Sequence, residues 1–194
     1  MAVEFYTGNR ELNAEEKEVN ARYIYNYLRL RGWSPQAICG MLGNMETESY
    51  LNPGVWENLD PGDDTRGFGL VQWTPSTKYT DWCYYRELDP SHMDSALMRI
   101  EYEVENGLQW IKTKQYNYSF EWFKTSTSSP SSLAQAFLYN YERPLVRPQP
   151  LRSAQALKWY NKLKGGSIDP GGIVTNTSRK MGVLMIIAAT RRRF

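Results

Sequence analysis

The sequence has few residues of the types that most hydrolases use to bind zinc or to activate a nucleophile. Its 194 residues include one histidine, His92, and two cysteines, Cys39 and Cys83. A zinc peptidase or zinc amidase would need more ligands, so we expect no metal and no other cofactor. A Ser-His-Asp or Cys-His hydrolase would have to use His92, which lies in a Ser-x-x-Asp capping box at a predicted helix start and is interpreted as a surface residue. Two separated cysteines do not make a disulfide framework, so we expect free, mostly buried thiols.

The sequence also predicts neither a secretory signal nor a membrane span. Residues 1–6 have neither a basic start nor an apolar core, and no segment approaches the roughly 20 apolar residues that a bilayer requires. The net charge of +2 is too small to favour a nucleic acid or a membrane surface. We therefore predict no nucleic-acid partner and no membrane insertion. Seven tryptophans and fourteen tyrosines are many for this length, and such rings suit a carbohydrate groove as well as a core.

One glutamate, Glu48, lies at the end of a predicted helix. Ser34-Pro35 is typical of a helix start, and apolar residues then recur at helical spacing up to Met45. Glu48 falls on the edge of that apolar stripe, just before Asn52-Pro53-Gly54 ends the helix. Partial burial and the negative end of the helix dipole both disfavour a charged carboxylate, which suits a general acid. Glu46 points to another side of the helix and is expected to be solvated.

A glycine-rich segment with one glutamine follows that helix. Gly67 and Gly69 flank Phe68, and glycine in a strand often marks the close approach of another backbone or of a ligand. Gln72 is a polar side chain inside an apolar run, so it needs hydrogen-bond partners if it is buried. A sugar amide, the predicted acid or the backbone would supply them.

Together these residues resemble a known family. Glu48-Ser49 followed by a Gly-x-Gly-Leu-x-Gln strand is similar to goose-type lysozymes and soluble lytic transglycosylases, and the longer pattern is closer to phage tail-associated lysozymes. The resemblance covers roughly residues 15 to 165. The segments that carry it are Ala37-Ile38-Cys39-Gly40-Met41-Leu42-Gly43-Asn44-Met45, Glu48-Ser49, Asn52-Pro53-Gly54, Gly67-Phe68-Gly69-Leu70-Val71-Gln72-Trp73-Thr74-Pro75 and Tyr141-Glu142-Arg143-Pro144.

The resemblance implies a fold, an activity and a setting. The expected fold is α+β and mostly helical, lysozyme-like, with a small β-hairpin next to the catalytic helix. The expected activity is cleavage of the β-1,4 glycan of peptidoglycan, with Glu48 as the catalytic acid. Peptidoglycan strands and other phage tail proteins are the implied partners, at the tail tip of a virion or released to the host cell wall. The residues predicted to bind substrate are Ser49, Phe68, Gln72, Trp73 and Tyr141.

A second catalytic carboxylate is sought in the loop between the helix and the glycine-rich segment. Hydrolases of this type often need such a group to activate water or to stabilise positive charge on the sugar. The loop offers Glu57, Asp60, Asp63 and Asp64. Asp60 is our prediction, because its Asn-Leu-Asp string also resembles the family, whereas Asp63 and Asp64 could be turn formers.

The chain divides into three predicted parts. Residues 1–164 form the lysozyme-like catalytic domain, 165–178 a Gly-rich linker, and 179–194 a C-terminal tail that is a remnant of a second module or a helix packed on the domain. Within the domain, helices are predicted from the capping box at Asn13, at 35–49, from Pro75 to Arg86, from Met93 to Gly107, and near 108–114, 119–125, 130–143 and 152–163. At the end of the 130–143 helix, Glu142 and Arg143 are predicted to form a structural ion pair.

Four functional alternatives remain open from sequence. The first is a hydrolytic muramidase, and the second is a lytic transglycosylase, in which the substrate's own C6 hydroxyl attacks to give 1,6-anhydro ends. The third is a catalytically inactive glycan-binding module of a phage tail. The fourth, a Cys/His amidase or peptidase, rests on Cys39 and His92 alone.

Overall fold

A computed structural model describes residues 4–166 of the chain. In that range a 3₁₀ turn covers Glu57–Leu59, and a π-helical turn, Leu138–Glu142, continues the sixth helix. No helix of the described part is long and apolar enough to cross a membrane. The predicted tail, and the linker beyond Gly166, lie outside the described residues. The α-helices of the described part are α1 (Ala14–Arg29), α2 (Pro35–Ser49), α3 (Thr77–Tyr85), α4 (Met93–Glu105), α5 (Phe120–Thr125), α6 (Pro130–Phe137) and α7 (Pro150–Leu163).

Several helix starts follow directly from local sequence. The Asn13 side chain accepts hydrogen bonds from two backbone amides, and the Glu16 carboxylate accepts one from the backbone amide of Asn13, which confirms the predicted capping box of α1. Ser34 caps α2 with Pro35 in its first turn, as predicted. The start of α4 differs by one residue, because the ring of His92, rather than Ser91, accepts the hydrogen bond from the Asp94 amide.

Helix α2 is the central element of the fold. Its residues 37–46 are all buried, and it contacts α1, α5, α6 and α7. Two glycines allow the closest of these contacts. A Cβ on Gly40 would meet the side chain of Leu133 on α6 at 2.9 Å, and a Cβ on Gly43 would meet the carbonyl oxygen of Arg152 on α7 at 2.3 Å. A helix surrounded in this way holds its side chains in fixed positions.

The predicted mostly helical architecture is confirmed and is consistent with a lysozyme-like fold, whereas the predicted β-hairpin is not confirmed. Residues 55–73 form turns, with isolated antiparallel bridges from Phe68 to Trp56 and to Trp73. Gly69 and Gln72 have φ angles of 81° and 49°, so the backbone reverses within a few residues instead of extending into strands. Apolar residues of this segment are buried by the helices rather than by a sheet.

The predicted helix near 108–114 is also absent from the described residues. Trp110 has a φ angle of 71° and a buried ring that packs against Phe123 at 4.8 Å. The amide of Ile111 donates to the carbonyl of Asn140 in the π-helical turn. Tertiary contacts therefore provide the backbone hydrogen-bond partners that a helix would otherwise supply.

Candidate functional site

A cleft of about 430 Å³ opens at the C-terminal end of α2. One wall is the last turn of α2, and the opposite wall is the loop that follows it. The floor includes Gln72 from the glycine-rich segment. The residues that line the cleft are Glu11, Thr47, Glu48, Tyr50, Val55, Trp56, Glu57, Asn58, Leu59 and Gln72.

Glu48 stands at the end of its helix because the chain turns sharply there. Tyr50 and Leu51 adopt left-handed φ angles of 58° and 62°, and the Tyr50 amide closes the last turn on Glu46 and Met45. The Glu48 side chain is 22% exposed, so it is half-buried at the edge of the cleft, as predicted. No basic residue occupies the last turn of α2 itself.

The partner of Glu48 comes from α7. Arg152 donates from Nη2 to Glu48 Oε1 at 2.5 Å, and its own side chain is only 5% exposed. The guanidinium also donates to Gln149 Oε1 at 2.6 Å and to Asn44 Oδ1 at 3.2 Å. Such a bound, buried guanidinium has little freedom to leave. Sequence reasoning missed this ion pair, because 104 residues separate its members and no local pattern links them.

Glu46 has a different environment from the one predicted. Glu46 is only 8% exposed, although it was predicted to be solvated. Lys158 donates to it at 2.8 and 2.9 Å, and the indole of Trp159 donates at 2.8 Å. The expectation of a solvated Glu46 was wrong because α7 covers that side of α2. Two acids on one helix thus meet separate cations on α7.

A further buried carboxyl group belongs to the π-helical turn after α6. Glu142 ends the π-helical turn, and its Oε1 is buried without a hydrogen-bond partner among the described residues. Burial, and next the charge of Glu48, raise the pKa of Glu142 well above its usual range, while Arg152 opposes this shift. The predicted ion pair with Arg143 is not formed within residues 4–166. Arg143 instead donates to Gln109 Oε1 at 2.8 Å.

Gln72 is the polar floor of the cleft. Its side-chain amide donates to the carbonyls of Gly69 at 3.0 Å and Val55 at 3.2 Å, which fixes its orientation. Its Oε1 lies 2.8 Å from the position that a Cβ on Gly67 would occupy. Glycine at 67 is therefore needed for the close approach that sequence analysis suggested.

The other residues predicted to bind substrate are buried and lie outside the set that lines the cleft. Ser49 donates to the carbonyl of Leu70 at 2.9 Å, which ties α2 to the glycine-rich segment. Phe68 packs under Trp56, with ring centroids 4.7 Å apart, and Trp56 itself faces the cleft. Trp73 and Tyr141 both donate to the buried carboxylate of Glu103.

Glu103 on α4 joins the glycine-rich segment to the π-helical turn. It accepts hydrogen bonds from the indole of Trp73 at 3.1 Å and from the hydroxyl of Tyr141 at 2.6 Å. Arg99 pairs with it at 2.8 Å from one turn away on the same helix. Burial and this carboxylate raise the pKa of Tyr141 well above its usual range. These contacts position the floor of the cleft and the turn that carries Glu142.

Of the four acids in the loop, Glu57 is among the residues that line the cleft, whereas Asp60, Asp63 and Asp64 are not. Asp60 has a side chain that is 55% exposed, lies 3.9 Å from Arg66, and is not among the lining residues. Glu57 does line the cleft, and its Oε2 accepts the Gly67 amide at 2.9 Å. Asp63 pairs with Arg66 and accepts hydrogen bonds from Thr65, which is typical of a turn.

The cysteines and the histidine occupy separate structural positions. Both thiols are free and buried, as predicted. Burial raises the pKa of Cys39 to about 12 and that of Cys83 to about 11, which disfavours the reactive thiolate. His92 caps α4 and packs edge-on against Phe5 at 4.7 Å. This placement gives no support to a Cys/His amidase or peptidase.

Comparison with known proteins identifies a family model and a similar phage protein. A family model described as phage tail lysozyme matches residues 19–163. Morphogenesis protein 1 of Bacillus phage B103 is 53% identical over 161 residues, which cover 83% of this chain and 44% of that protein. The chain therefore matches less than half the length of that relative.

Proposed function

Because this chain belongs to the phage tail lysozyme family, we propose that it hydrolyses the β-1,4 bond between N-acetylmuramic acid and N-acetylglucosamine in peptidoglycan, with Glu48 as general acid. The observation that carries the proposal is the half-buried Glu48 carboxyl at the edge of a cleft that also presents Gln72. Family membership supports the coarser part, a lysozyme-like role against the cell wall in a phage. The role of each residue is our inference from the cleft.

The proposed reaction begins with protonation of the leaving oxygen. The O–H bond of Glu48 breaks as its proton passes to the glycosidic oxygen, the C–O bond opens, and positive charge develops on the sugar ring. Water then adds to the anomeric carbon and gives up a proton to a carboxylate. Glu57 is the loop acid that lines the cleft, so we assign it this task ahead of Asp60. Gln72 and neighbouring backbone groups hold the sugar.

The proposed setting is cell-wall penetration by a phage. The similarity to a phage morphogenesis protein supports association with the virion, with peptidoglycan strands as substrate and other tail proteins as partners. The lining residues of the cleft include the partly exposed rings of Tyr50 and Trp56 and three acids but no lysine or arginine, which suits a sugar chain rather than a nucleic acid. The proposal places this chain at the point where a particle meets the wall.

A lytic transglycosylase is the second candidate. It uses the same acid but needs no water-activating carboxylate, because the C6 hydroxyl of the substrate attacks. The exposed position of Asp60 outside the cleft favours this chemistry, whereas Glu57 in the cleft favours hydrolysis. Mass spectrometry of the soluble products from Gram-positive peptidoglycan separates them. Reducing N-acetylmuramic acid ends indicate hydrolysis, and 1,6-anhydro ends indicate transglycosylation.

The role of Glu48 is tested by Glu48→Gln, which keeps the shape of the side chain but removes the acid. We expect lysis of purified walls to fall at least about 100-fold, the usual contribution of a general acid. Glu46→Gln is the matched control, since it removes a buried carboxylate two residues away that pairs with Lys158, and it should keep most of the activity. Near-wild-type lysis by Glu48→Gln would exclude the proposal. Tight glycan binding by an inactive wild-type chain would instead identify a binding module.

A further inference from the structure

The segment that precedes α1 takes part in forming the cleft. Residues 6–12, called here the N-terminal strap, bond to the loop that follows α2, and Glu11 of the strap is among the residues that line the cleft. The family model begins at residue 19, so the strap lies outside the residues that it matches. Part of the cleft in this chain is therefore supplied by a segment that the family model does not include.

Two buried asparagines hold the strap against the helices. Asn20 of α1 accepts a hydrogen bond from the Tyr6 amide at 2.7 Å and donates to the Tyr6 carbonyl at 2.8 Å. Asn52, which follows α2, donates to the carbonyls of Gly8 and Arg10, both at 2.7 Å. Both asparagines are fully buried, so their amides have fixed positions. The strap is thus tied down by hydrogen bonds, unlike the loose terminal segments of many domains.

Asn9 is the strap residue that bonds to the loop wall of the cleft. Its Oδ1 accepts a hydrogen bond from the Trp56 amide at 3.0 Å, and its Nδ2 donates to the Leu59 carbonyl at 2.9 Å. Glu57 lies between these two anchored residues and lines the cleft. Asn9 is not itself among the lining residues, so any effect that it has on a reaction must pass through the loop.

The loop that Asn9 anchors has a backbone conformation that needs support. Asn58 and Leu59 have left-handed φ angles of 55° and 57°, a region that side chains such as leucine rarely adopt. Within the loop, the Leu59 amide donates to the Trp56 carbonyl at 3.0 Å, which closes only one short turn. Conformations of this kind persist where the surrounding structure holds them. The bonds from Asn9 act at the two ends of that turn.

Glu57 is held from two sides as a result. On one side, its amide donates to the Gly67 carbonyl at 2.9 Å and its Oε2 accepts the Gly67 amide at 2.9 Å. On the other side, Asn9 fixes the residues next to it, Trp56 directly and Asn58 through the turn that ends at Leu59. The direction of the Glu57 side chain depends on both anchors, because its backbone bonds to only one of them.

We propose that Asn9 is a positioning residue of the cleft, which holds residues 56–59 so that the Glu57 carboxylate faces the attacking water. This role rests on the proposed function, in which Glu57 takes the proton from that water. Without the two bonds from Asn9, the left-handed turn relaxes and the carboxylate moves relative to the sugar. Displacement of a reacting group by about 1 Å can cost as much as 100-fold in rate.

The test is a double-mutant cycle on kcat, measured with the full 194-residue chain on soluble peptidoglycan fragments. We expect Asn9→Ala to lower kcat about tenfold when Glu57 is present. In the Glu57→Gln background, the same substitution should change kcat less than about twofold, because the carboxylate that Asn9 positions is already absent. An equal loss of kcat in both backgrounds would indicate a purely structural role and would overturn the proposal.

Asn106→Ala is the matched control. Asn106 is also an exposed asparagine whose side-chain amide donates to a backbone carbonyl, that of Tyr102, at 2.8 Å. It lies at the end of α4 and is not among the residues that line the cleft. Its substitution should leave kcat at the wild-type value in both backgrounds. A loss equal to that of Asn9→Ala would show that removal of any such amide impairs the enzyme, and would contradict the proposal.

Amide hydrogen exchange, followed by NMR, tests the anchor without any substrate. The Trp56 amide should be protected in the wild type and in Asn9→Asp, which keeps an acceptor oxygen, and should exchange faster in Asn9→Ala. Equal protection in all three proteins would overturn the proposal even if kcat had fallen.

Failure of the proposed function would give a different result from failure of the positioning role. If Glu57 does not activate water, Glu57→Gln alone will keep the wild-type kcat, and the role of Asn9 fails together with that of Glu57. If only the positioning role is wrong, Glu57→Gln will still lower kcat, but Asn9→Ala will have the same effect with and without the Glu57 carboxylate.

Discussion

At the scale of the residue, the environment rather than the residue type decides what each acid does. Glu46 and Glu48 lie two positions apart on α2, yet one pairs with a half-exposed lysine and the other with a buried arginine. Glu142 is buried, and its Oε1 has no hydrogen-bond partner within residues 4–166, whereas Asp60 is exposed to solvent. The surroundings of each acid therefore decide whether its carboxyl group is ion-paired, buried or solvated.

The burial of Glu142 predicts a pH dependence of stability. Burial and the neighbouring Glu48 charge raise the pKa of Glu142 above its ordinary value of 4.5, so the folded protein binds this proton more tightly than the unfolded chain does. The resulting stability is fully present below the ordinary pKa and is lost as pH rises towards the raised one. Between pH 5 and 8, we expect the melting temperature of the wild type to fall more than that of Glu142→Gln. Parallel melting curves from calorimetry would contradict this.

At the scale of the element, the approach of α7 to α2 forms the site. Arg152 reaches Glu48 because Gly43 allows the backbone of α7 to lie against α2. The same contact places Lys158 and Trp159, about two turns further along α7, on Glu46. A change of a few tenths of an ångström between these helices would therefore move both ion pairs at once.

Substitution of Gly43 tests this packing. In Gly43→Ala the new Cβ would lie 2.3 Å from the carbonyl oxygen of Arg152, so α7 must move. We expect a loss of about 1–3 kcal/mol in the free energy of unfolding, typical of overpacking, together with reduced lysis. Gly165→Ala is the control, because a Cβ there meets nothing within 4 Å. Urea denaturation measures both, and equal stability of the two variants would show that α7 accommodates the methyl group.

At the scale of the whole molecule, one hydrophobic core joins the helices and the glycine-rich segment. Rings from several elements form it, including Trp33, Tyr79, Phe123 and Phe137, together with Cys39 from α2. Cys83 belongs to the same core, so neither thiol faces the cleft. The catalytic chemistry proposed here needs neither of them.

The cysteines therefore report on the integrity of the core. Both are buried, and burial raises the pKa of Cys39 to about 12 and that of Cys83 to about 11. We expect neither thiol to react with Ellman's reagent at pH 8 in the native protein. After unfolding in guanidinium chloride, both cysteines of the chain should react. Rapid reaction of a native thiol would show that the core opens readily.

Local sequence determined the features that depend on near neighbours. The capping box at Asn13, the Ser34-Pro35 start of α2 and the sharp end after Ser49 were predicted because caps and turns use contacts a few residues apart. The same periodicity predicted the half-buried position of Glu48. The family resemblance implied a small β-hairpin next to α2, but the left-handed turns at Gly69 and Gln72 leave only isolated bridges in residues 55–73.

Tertiary structure alone decided the partners of the acids. Arg152 lies 104 residues from Glu48 and Lys158 lies 112 from Glu46, and no periodicity within one helix specifies which residue of another helix it will meet. The unpartnered oxygen of Glu142 likewise depends on a π-helical turn and on the packing of α7. Charge–charge contacts of this kind require the helices to be assembled first, because the energy of each depends on distances and burial that the chain acquires only on folding.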